Sequence, residues 1–299
     1  MANKKKYKVY LEIFPVMFIL LFVLLVGIFG ALIQSLGYFP IMGMNDITFK
    51  YYIDIFQQES FIESLLYTLY ITTVSSTISV ILGVLLARMI LHLERKKLQK
   101  LGSKVSIDII YKLAIMLPHI IVALFAITFL SDSGIISRVL YGLGIDNAQD
   151  IFSNVLFSSN GVGIIISYIW KEVPYILLTC LAVMRRISLK HEMIAINLGA
   201  SKLYAFMKVT LPMLLPTILS TFTIVFSFSF GAYELPMLLG STLPKTLPIK
   251  AFIEYQNPIM SNRPYAMAMN MVIVAFCVFF VILFNYIIKR LILGKNYDE

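Results

Sequence analysis

Six long apolar runs constrain this 299-residue chain most strongly. A bilayer crossing by an α-helix takes roughly 20 apolar residues, and each run reaches that length. We place the runs at Phe14–Leu36, Ile62–His92, Ile109–Leu130, Gly163–Met184, Met213–Leu239 and Tyr265–Ile288. The composition, 59% hydrophobic and 14% charged, is typical of a polytopic membrane protein and excludes a soluble globular domain. The sequence therefore predicts an all-α fold with six transmembrane helices.

Lysine and arginine are distributed unevenly over the predicted loops. Eighteen of them fall in the N-terminus, the second-to-third loop, the fourth-to-fifth loop and the C-terminus, whereas the opposite side has five. Because cytoplasmic loops are enriched in these residues, both termini are predicted to be cytoplasmic. The bias accounts for the net charge of +9, so a nucleic-acid partner is not needed to explain it. The first run lacks a small-residue cleavage site, and we expect it to stay as a membrane helix.

A polar segment between the fourth and fifth runs reads EMIAINLGASKLYAFMKVTLPMLLP and begins at Glu192. An acidic residue suits the first turn of a helix, and Gly199 can take the left-handed conformation that ends one. Ser201 can cap a second short helix over Lys202–Val209, and Pro212 fits the first turn of the next membrane helix. The segment is therefore predicted to form two short helices at a bend on the membrane surface. An ordinary amphipathic loop is the plainer alternative.

The same segment resembles the EAA loop in permease subunits of binding-protein-dependent ABC importers. The motif of that family begins with Glu-Ala-Ala, which is followed after three residues of any type by Gly. After nine further residues it ends with an apolar residue, one residue of any type, Leu and Pro. The corresponding positions here are Glu192, Ala195, Gly199, Val209, Leu211 and Pro212, with one residue more between Glu192 and Gly199 than the family pattern has. Met193 and Ile194 stand where the family has Ala-Ala. The resemblance implies that this loop, with Ala200 and Ser201 at its bend, docks into a groove on a cytoplasmic ATPase subunit.

The resemblance extends over roughly residues 60–290. FGAYELPMLLGSTLPKTLPIKAFIEY and NRPYAMAMNMVI, after the fifth run, resemble permeases of spermidine/putrescine importers and their relatives for thiamine, iron and phosphonates. It implies the type I ABC importer permease fold, with a transmembrane domain over 61–290 and a cytoplasmic coupling loop at 190–211. Residues 1–60 are then an N-terminal tail, a first helix and an extracytoplasmic segment, and 291–299 are a cytoplasmic tail.

The family resemblance also implies a function and a set of partners. The chain is expected to be a multi-pass permease of the cytoplasmic membrane that forms the path for a small solute. A polyamine is favoured over thiamine, iron or phosphonate. Its expected partners are an ATPase dimer, a second permease (homologous or identical), an extracytoplasmic binding protein and membrane lipid. No cofactor is expected in this chain, because ATP and Mg²⁺ belong to the ATPase.

Charged residues inside the predicted spans need a physical reason, because a charge near the bilayer centre costs about 3 kcal/mol on insertion scales. Lys171 and Glu172 lie inside the fourth run. They are predicted either to line the substrate path or to form a structural ion pair, with each other or with a partner subunit. Tyr233 and Glu234 lie near the outer end of the fifth run and are candidates for the mouth of the path. For Glu234, a contact with the docked binding protein and a cap at the helix end before Pro236 are alternatives. Pro118 is expected to kink the third run.

Other classes of function find little support in the sequence. The chain has no P-loop G-x-x-x-x-G-K-[ST] and no G-x-S-x-G motif, so neither ATP hydrolysis nor serine hydrolysis is predicted. His191-Glu192 begins like H-E-x-x-H, but Ala195 takes the place of the second zinc ligand. Cys180 and Cys277 fall inside spans and are interpreted as small apolar residues. An ion-coupled secondary transporter remains an alternative, although clear inverted repeats are missing.

Overall fold

The computed structural model describes residues 2–99, 114–187 and 191–293. Within these ranges the regular structure is helical, apart from one isolated bridge between Phe39 and Met44. The α-helices are α1 Ala2–Ser35, α2 Lys50–Gln57, α3 Glu59–Gln99, α4 His119–Leu130, α5 Ile135–Gly142, α6 Ala148–Phe152, α7 Val162–Ile187, α8 His191–Asn197, α9 Lys202–Ala205, α10 Leu211–Gly231, α11 Glu234–Leu239, α12 Leu247–Tyr255 and α13 Arg263–Leu293. A π-helical turn, Phe206–Thr210, connects α9 to α10.

Six helical stretches of the described residues are long and apolar enough to cross a membrane. They are Glu12–Ser35, Glu59–Glu94, His119–Gly142, Val162–Arg186, Lys202–Gly231 and Met260–Arg290. The predicted all-α fold with six transmembrane helices is therefore confirmed. The first, second, fourth and sixth spans lie within a few residues of their predicted positions, whereas the third and fifth differ.

The third span does not run unbroken over Ile109–Leu130 as predicted. Residues 114–116 are helical, but the helix stops at Pro118, which has an extended ψ of 150°, and α4 begins at His119. Residues 109–113 of the predicted span lie outside the described residues. Proline has no N–H to donate, and its ring disfavours helical geometry in the preceding residue. The predicted kink at Pro118 is thus a complete break between two helical segments.

The fifth span also has different limits from the predicted Met213–Leu239. It ends at Gly231, because Ala232 is extended (φ −78°, ψ 140°) and α11 follows as a separate helix. At its other end the span continues back to Lys202 through the π-helical turn. The predicted separate second helix of the loop is therefore wrong. Pro212 cannot donate a backbone hydrogen bond to the preceding turn, and widening that turn accommodates its ring.

The chain divides into two compact units, and the first contains residues up to 62 together with 250–274. Between Glu12 and Gly30 every side chain of α1 is exposed. Beyond α1, the unit is held together by buried and half-buried tyrosines. The Tyr265 hydroxyl donates to Asp54 at 2.8 Å, and its ring packs edge-on against Tyr51 at 4.8 Å.

The second unit contains residues 63–249 and those from 275 onward, and α7 lies at its centre. One apolar cluster joins α3, α7 and α10 around Ala87, Leu181 and Leu214. A second cluster joins α3, α4, α7 and α11 around Ala123, Tyr168 and Leu235. The α3 and α7 backbones approach closely at Gly83, where a Cβ atom would lie 2.7 Å from Ile176. These contacts fix the helices that position the polar residues described next.

Candidate functional site

The predicted bend of the polar loop is present at Gly199, which has φ +95°. The Gly199 N–H donates to the Ile196 carbonyl at 3.0 Å, and the Ala200 N–H donates to the Ala195 carbonyl at 3.0 Å. This pair of hydrogen bonds is a Schellman motif, which ends α8 and satisfies its last carbonyl groups. The predicted left-handed conformation of Gly199 is confirmed. Ala195 and Ala200 take part in the motif through their backbones.

Ser201 starts the next helix as predicted. Its side-chain oxygen accepts a hydrogen bond from the Tyr204 N–H at 3.2 Å, and its backbone is extended. Because α9, the π-helical turn and α10 follow without a break, Ser201 caps a helix of 30 residues that runs to Gly231. Leu211 and Pro212 occupy the first turn after the π-helical segment.

The inner side of the loop is held by contacts of Glu192 and Arg88. The Glu192 side chain is 8% exposed, and one carboxylate oxygen accepts a hydrogen bond from the Thr210 hydroxyl at 3.4 Å. The Arg88 guanidinium lies 3.9 Å from the centre of the Phe206 ring and donates to the Lys202 carbonyl at 3.2 Å. Arg88 is one of the eighteen lysine and arginine residues assigned to the cytoplasmic side. No local motif indicates its contact with Phe206, which lies more than 100 positions away.

The outer side of the loop carries exposed apolar side chains, which we call the loop patch. Its members are Met193, Ile194, Leu198, Leu203, Tyr204 and Met207. Leu198, directly before the bend, is 83% exposed. Several large exposed apolar side chains within one short loop are typical of an interaction site. The loop thus presents an apolar surface on a backbone fixed by the Schellman motif and the Ser201 cap.

A cavity of about 590 Å³ lies behind the loop, against the ends of α3 and α7, and we call it the loop cavity. Arg88, His92 and Lys202 bring basic groups to its lining, and Glu192 brings one carboxylate. None of the loop patch side chains lines it.

Lys171 and Glu172 contact different groups and do not pair with each other. The Lys171 ammonium donates to the Ala114 carbonyl at 3.3 Å, to the Ile115 carbonyl at 2.8 Å and to the Leu117 carbonyl. These carbonyls end the helical segment that Pro118 interrupts, so the ammonium replaces backbone donors that the break removes.

Glu172 is buried between helices, with 5% of its surface exposed. Its Oε1 accepts a hydrogen bond from the Ser229 hydroxyl on α10 at 2.5 Å. Its Oε2 is also buried and makes no hydrogen bond of good geometry among the described residues, although the buried Ser79 hydroxyl of α3 lies near the carboxylate. Glu172 therefore connects α7 to α10 close to the end of α10. Glu172 and Ser229 are 57 positions apart, and no local motif indicates their contact.

Tyr233 and Glu234 lie at the start of α11, after the fifth span has ended, and not within that span as predicted. The Tyr233 carbonyl accepts from the Met237 N–H at 2.9 Å, and Glu234 is a half-buried residue of the first turn. His119, at the start of α4, lies within electrostatic reach of both Lys171 and Glu234. The structure thus groups these charged residues around the break in the third span.

The comparisons with known proteins agree on a transport family. Residues 79–293 match the family described as binding-protein-dependent transport system inner membrane component. A probable sulfate transport system permease protein of Chlorella vulgaris is 25% identical over 179 residues, which cover 60% of this chain and 64% of that protein. A molybdenum transport system permease protein of Mycobacterium tuberculosis is 24% identical over 166 residues, which cover 54% of this chain and 58% of that protein. The chain thus spans less than two thirds of these relatives.

Two crystal structures share the fold over nearly the whole chain. One is of a bacterial ABC transporter involved in the import of the acidic polysaccharide alginate, with a TM-score of 0.74, 21% identity and 97% coverage of both chains. The other is of a bacterial alginate transporter in complex with an alginate pentasaccharide-bound periplasmic protein, with a TM-score of 0.75 and 21% identity over 97% and 96% of the chains. The predicted ABC importer permease fold is confirmed.

Proposed function

Because the chain belongs to the family of binding-protein-dependent transport system inner membrane components, we propose that it forms part of the substrate path of an ABC importer and couples that path to an ATPase subunit. The observation that carries the coupling role is the loop patch, an apolar surface held on a fixed bend. The family is one of transport permeases, so the chain is not assigned an enzymatic activity. ATP and Mg²⁺ are assigned to the partner ATPase.

The loop supports a lever mechanism. The helix from Lys202 to Gly231 has 30 residues and extends about 45 Å. Because its first turn belongs to the loop, a displacement of the loop patch moves the whole helix. At the far end the Ser229 hydroxyl is bonded to Glu172, so the motion reaches the centre of the membrane domain. ATP binding by the ATPase then opens the path outward, and hydrolysis resets it.

The proposed assembly contains two further partners. A second permease subunit provides a cover for the exposed apolar residues of α1 between Glu12 and Gly30. An extracytoplasmic binding protein delivers the solute, a role supported by the structural relative in complex with its periplasmic protein. Both termini and the coupling loop are placed in the cytoplasm on the basis of the lysine and arginine distribution.

Leu198→Ser tests the docking role of the loop patch. Removing one apolar contact from the centre of an interface costs about 1 kcal/mol, so about fivefold less ATPase subunit is expected to co-elute with the permease. Leu198 is 83% exposed, so the change leaves the core intact.

The matched control for this experiment is Leu143→Ser. Leu143 is 75% exposed and follows α5, in a loop that the charge distribution places outside the cell. We expect no change in co-elution for this variant. A loss of ATPase with Leu143→Ser but not with Leu198→Ser would contradict both the docking surface and the orientation.

The substrate class is proposed from the relatives. Sulfate is named for one relative and the acidic polysaccharide alginate for another, and both are anions. A molybdenum permease is among the relatives as well. We therefore favour a small oxyanion over the polyamine that the sequence resemblance predicted. The seven acidic residues of the predicted outer loops are a weak argument for a cation.

Uptake by the reconstituted importer distinguishes these substrates. Vesicles that contain the complete complex are expected to accumulate labelled sulfate or molybdate in an ATP-dependent manner, and unlabelled spermidine should not compete. Spermidine uptake with no effect of either oxyanion would support the polyamine prediction instead. Accumulation that follows an ion gradient without ATP would indicate a secondary transporter.

A further inference from the structure

The loop cavity has no part in the function proposed above. It is lined by α3, by the end of α7 and by the inner side of the coupling loop, whereas docking is assigned to the loop patch. Its volume of about 590 Å³ leaves room for a bound group of substantial size.

The charged and ionisable groups that line the loop cavity are predominantly basic. Arg88 and His92 are four residues apart on α3, so they share one helix face, and Lys202 faces them from α9. Arg88 has five N–H donors, and the Lys202 carbonyl takes one of them in the structure. Glu192 is the one acidic lining residue, and its carboxylate already accepts from Thr210. The cavity thus favours an anion with several oxygens, of which phosphate is the commonest in the cell.

Apolar residues on the face of α3 that carries Arg88 and His92 indicate that the bound anion belongs to a lipid. Leu85, Arg88, Met89 and His92 follow the spacing of a single helical stripe and all line the cavity. Leu85 and Met89 are both more than half exposed. Leu85 lies deeper in the span than either basic residue, Met89 lies beside Arg88, and His92 lies near the end of the span at Glu94. A phospholipid has the same order, with its hydrocarbon chain deep and its phosphate at the surface.

We propose that the loop cavity binds the phosphate of an anionic phospholipid between Arg88, His92 and Lys202, with an acyl chain along Leu85 and Met89. Basic pockets between membrane helices on the cytoplasmic side bind such head groups, because anionic lipids are enriched in that leaflet. The lipid source therefore rests on the proposed cytoplasmic orientation of the loop. The bound head group contacts the back of the coupling loop, so it stabilises the position from which the loop patch docks.

Native mass spectrometry of the full-length chain, purified in detergent with its co-eluting subunits, tests this site. With phosphatidylglycerol or phosphatidylcholine added, we expect retention of phosphatidylglycerol alone. Lys202→Gln should lower retained phosphatidylglycerol about fivefold, the factor expected for one basic group beside an anionic lipid surface. His92→Glu should lower it further, because it places a carboxylate in the cavity wall. Both side chains are exposed, so neither change disturbs the core.

Lys208→Gln is the matched control, because Lys208 is an exposed lysine of the same helix that does not line the cavity. Unchanged retention in Lys208→Gln, with loss in the two cavity variants, supports the proposal. Equal retention in all variants, or equal loss in Lys208→Gln, overturns it. Thermal protection by inorganic phosphate equal to that by phosphatidylglycerol overturns the lipid source. Lipid retention is measured without uptake, so a failure of the transport assignment remains distinguishable.

Discussion

Gly199→Val is expected to lower uptake by the assembled importer at least about tenfold, because it removes the bend on which the loop patch is built. Gly199 has φ +95°, a conformation that costs a residue with a Cβ atom about 1–2 kcal/mol and a β-branched residue more. A loss of 1.4 kcal/mol in docking is already a factor of about ten. A Cβ atom added at Gly199 meets nothing within 4 Å, so the expected effect comes from the backbone conformation.

Gly144→Val is the matched control for backbone strain. Gly144 has φ +92°, also with nothing within 4 Å of an added Cβ, and lies between α5 and α6, away from the coupling loop. The two variants should lose similar folding stability, but only Gly199→Val should lose ATPase co-elution and uptake. Gly199→Asn should retain part of both, because asparagine tolerates the left-handed conformation. Wild-type uptake by Gly199→Val at normal expression would remove the bend from the coupling mechanism.

Local chemistry explains why the six spans and the loop bend could be predicted from the sequence. Span number depends on run length and apolar composition, which the sequence displays directly. The end of α8 depends on a glycine that can take positive φ, which is Gly199. The start of α9 depends on a serine that can cap a helix, which is Ser201. The two loop signals each involve residues within about five positions of one another, and each span signal lies within one continuous run.

Two errors of the prediction share a cause, namely the response of a helix to proline. Pro118 was expected to kink a continuous span, but it ends one helical segment and starts another. Pro212 lies in the first turn of α10 as expected, but a π-helical turn joins α10 to α9, so the expected separation of the two helices is wrong. Proline removes one hydrogen bond in either case. Whether the chain breaks or widens depends on the surrounding contacts, such as those of the Lys171 ammonium with the carbonyls before Pro118.

The tertiary contacts of the charged residues could not be predicted from the sequence. Three such contacts join positions that are more than 50 apart in the sequence. They are Arg88 with Phe206, Lys171 with the Ile115 carbonyl, and Glu172 with Ser229. The cost of charge in the membrane predicts that each charge has partners, but not which ones. The open alternatives for Lys171 and Glu172 therefore required the fold.

Ser229→Ala is expected to destabilise the chain by about 1–3 kcal/mol, the cost of leaving a buried polar group unsatisfied. The Ser229 hydroxyl is the hydrogen-bond partner of Glu172 Oε1, and Oε2 makes no hydrogen bond of good geometry among the described residues. Ser220→Ala is the control on the same helix, because Ser220 is exposed and its hydroxyl bonds only to the Pro216 carbonyl one turn before. It should change stability by less than about 0.5 kcal/mol. Thermal unfolding of the purified chain measures both.

Adding Glu172→Leu to Ser229→Ala should restore most of the lost stability, because both ends of the buried hydrogen bond are then apolar. This double variant also separates the two roles that Glu172 can have. If Glu172 has only a structural role, uptake per assembled complex recovers together with stability. If it lines the substrate path, stability recovers and uptake stays low. A double variant less stable than Ser229→Ala alone would show that the Glu172 carboxyl has other partners, and that its bond to Ser229 does not determine its stability.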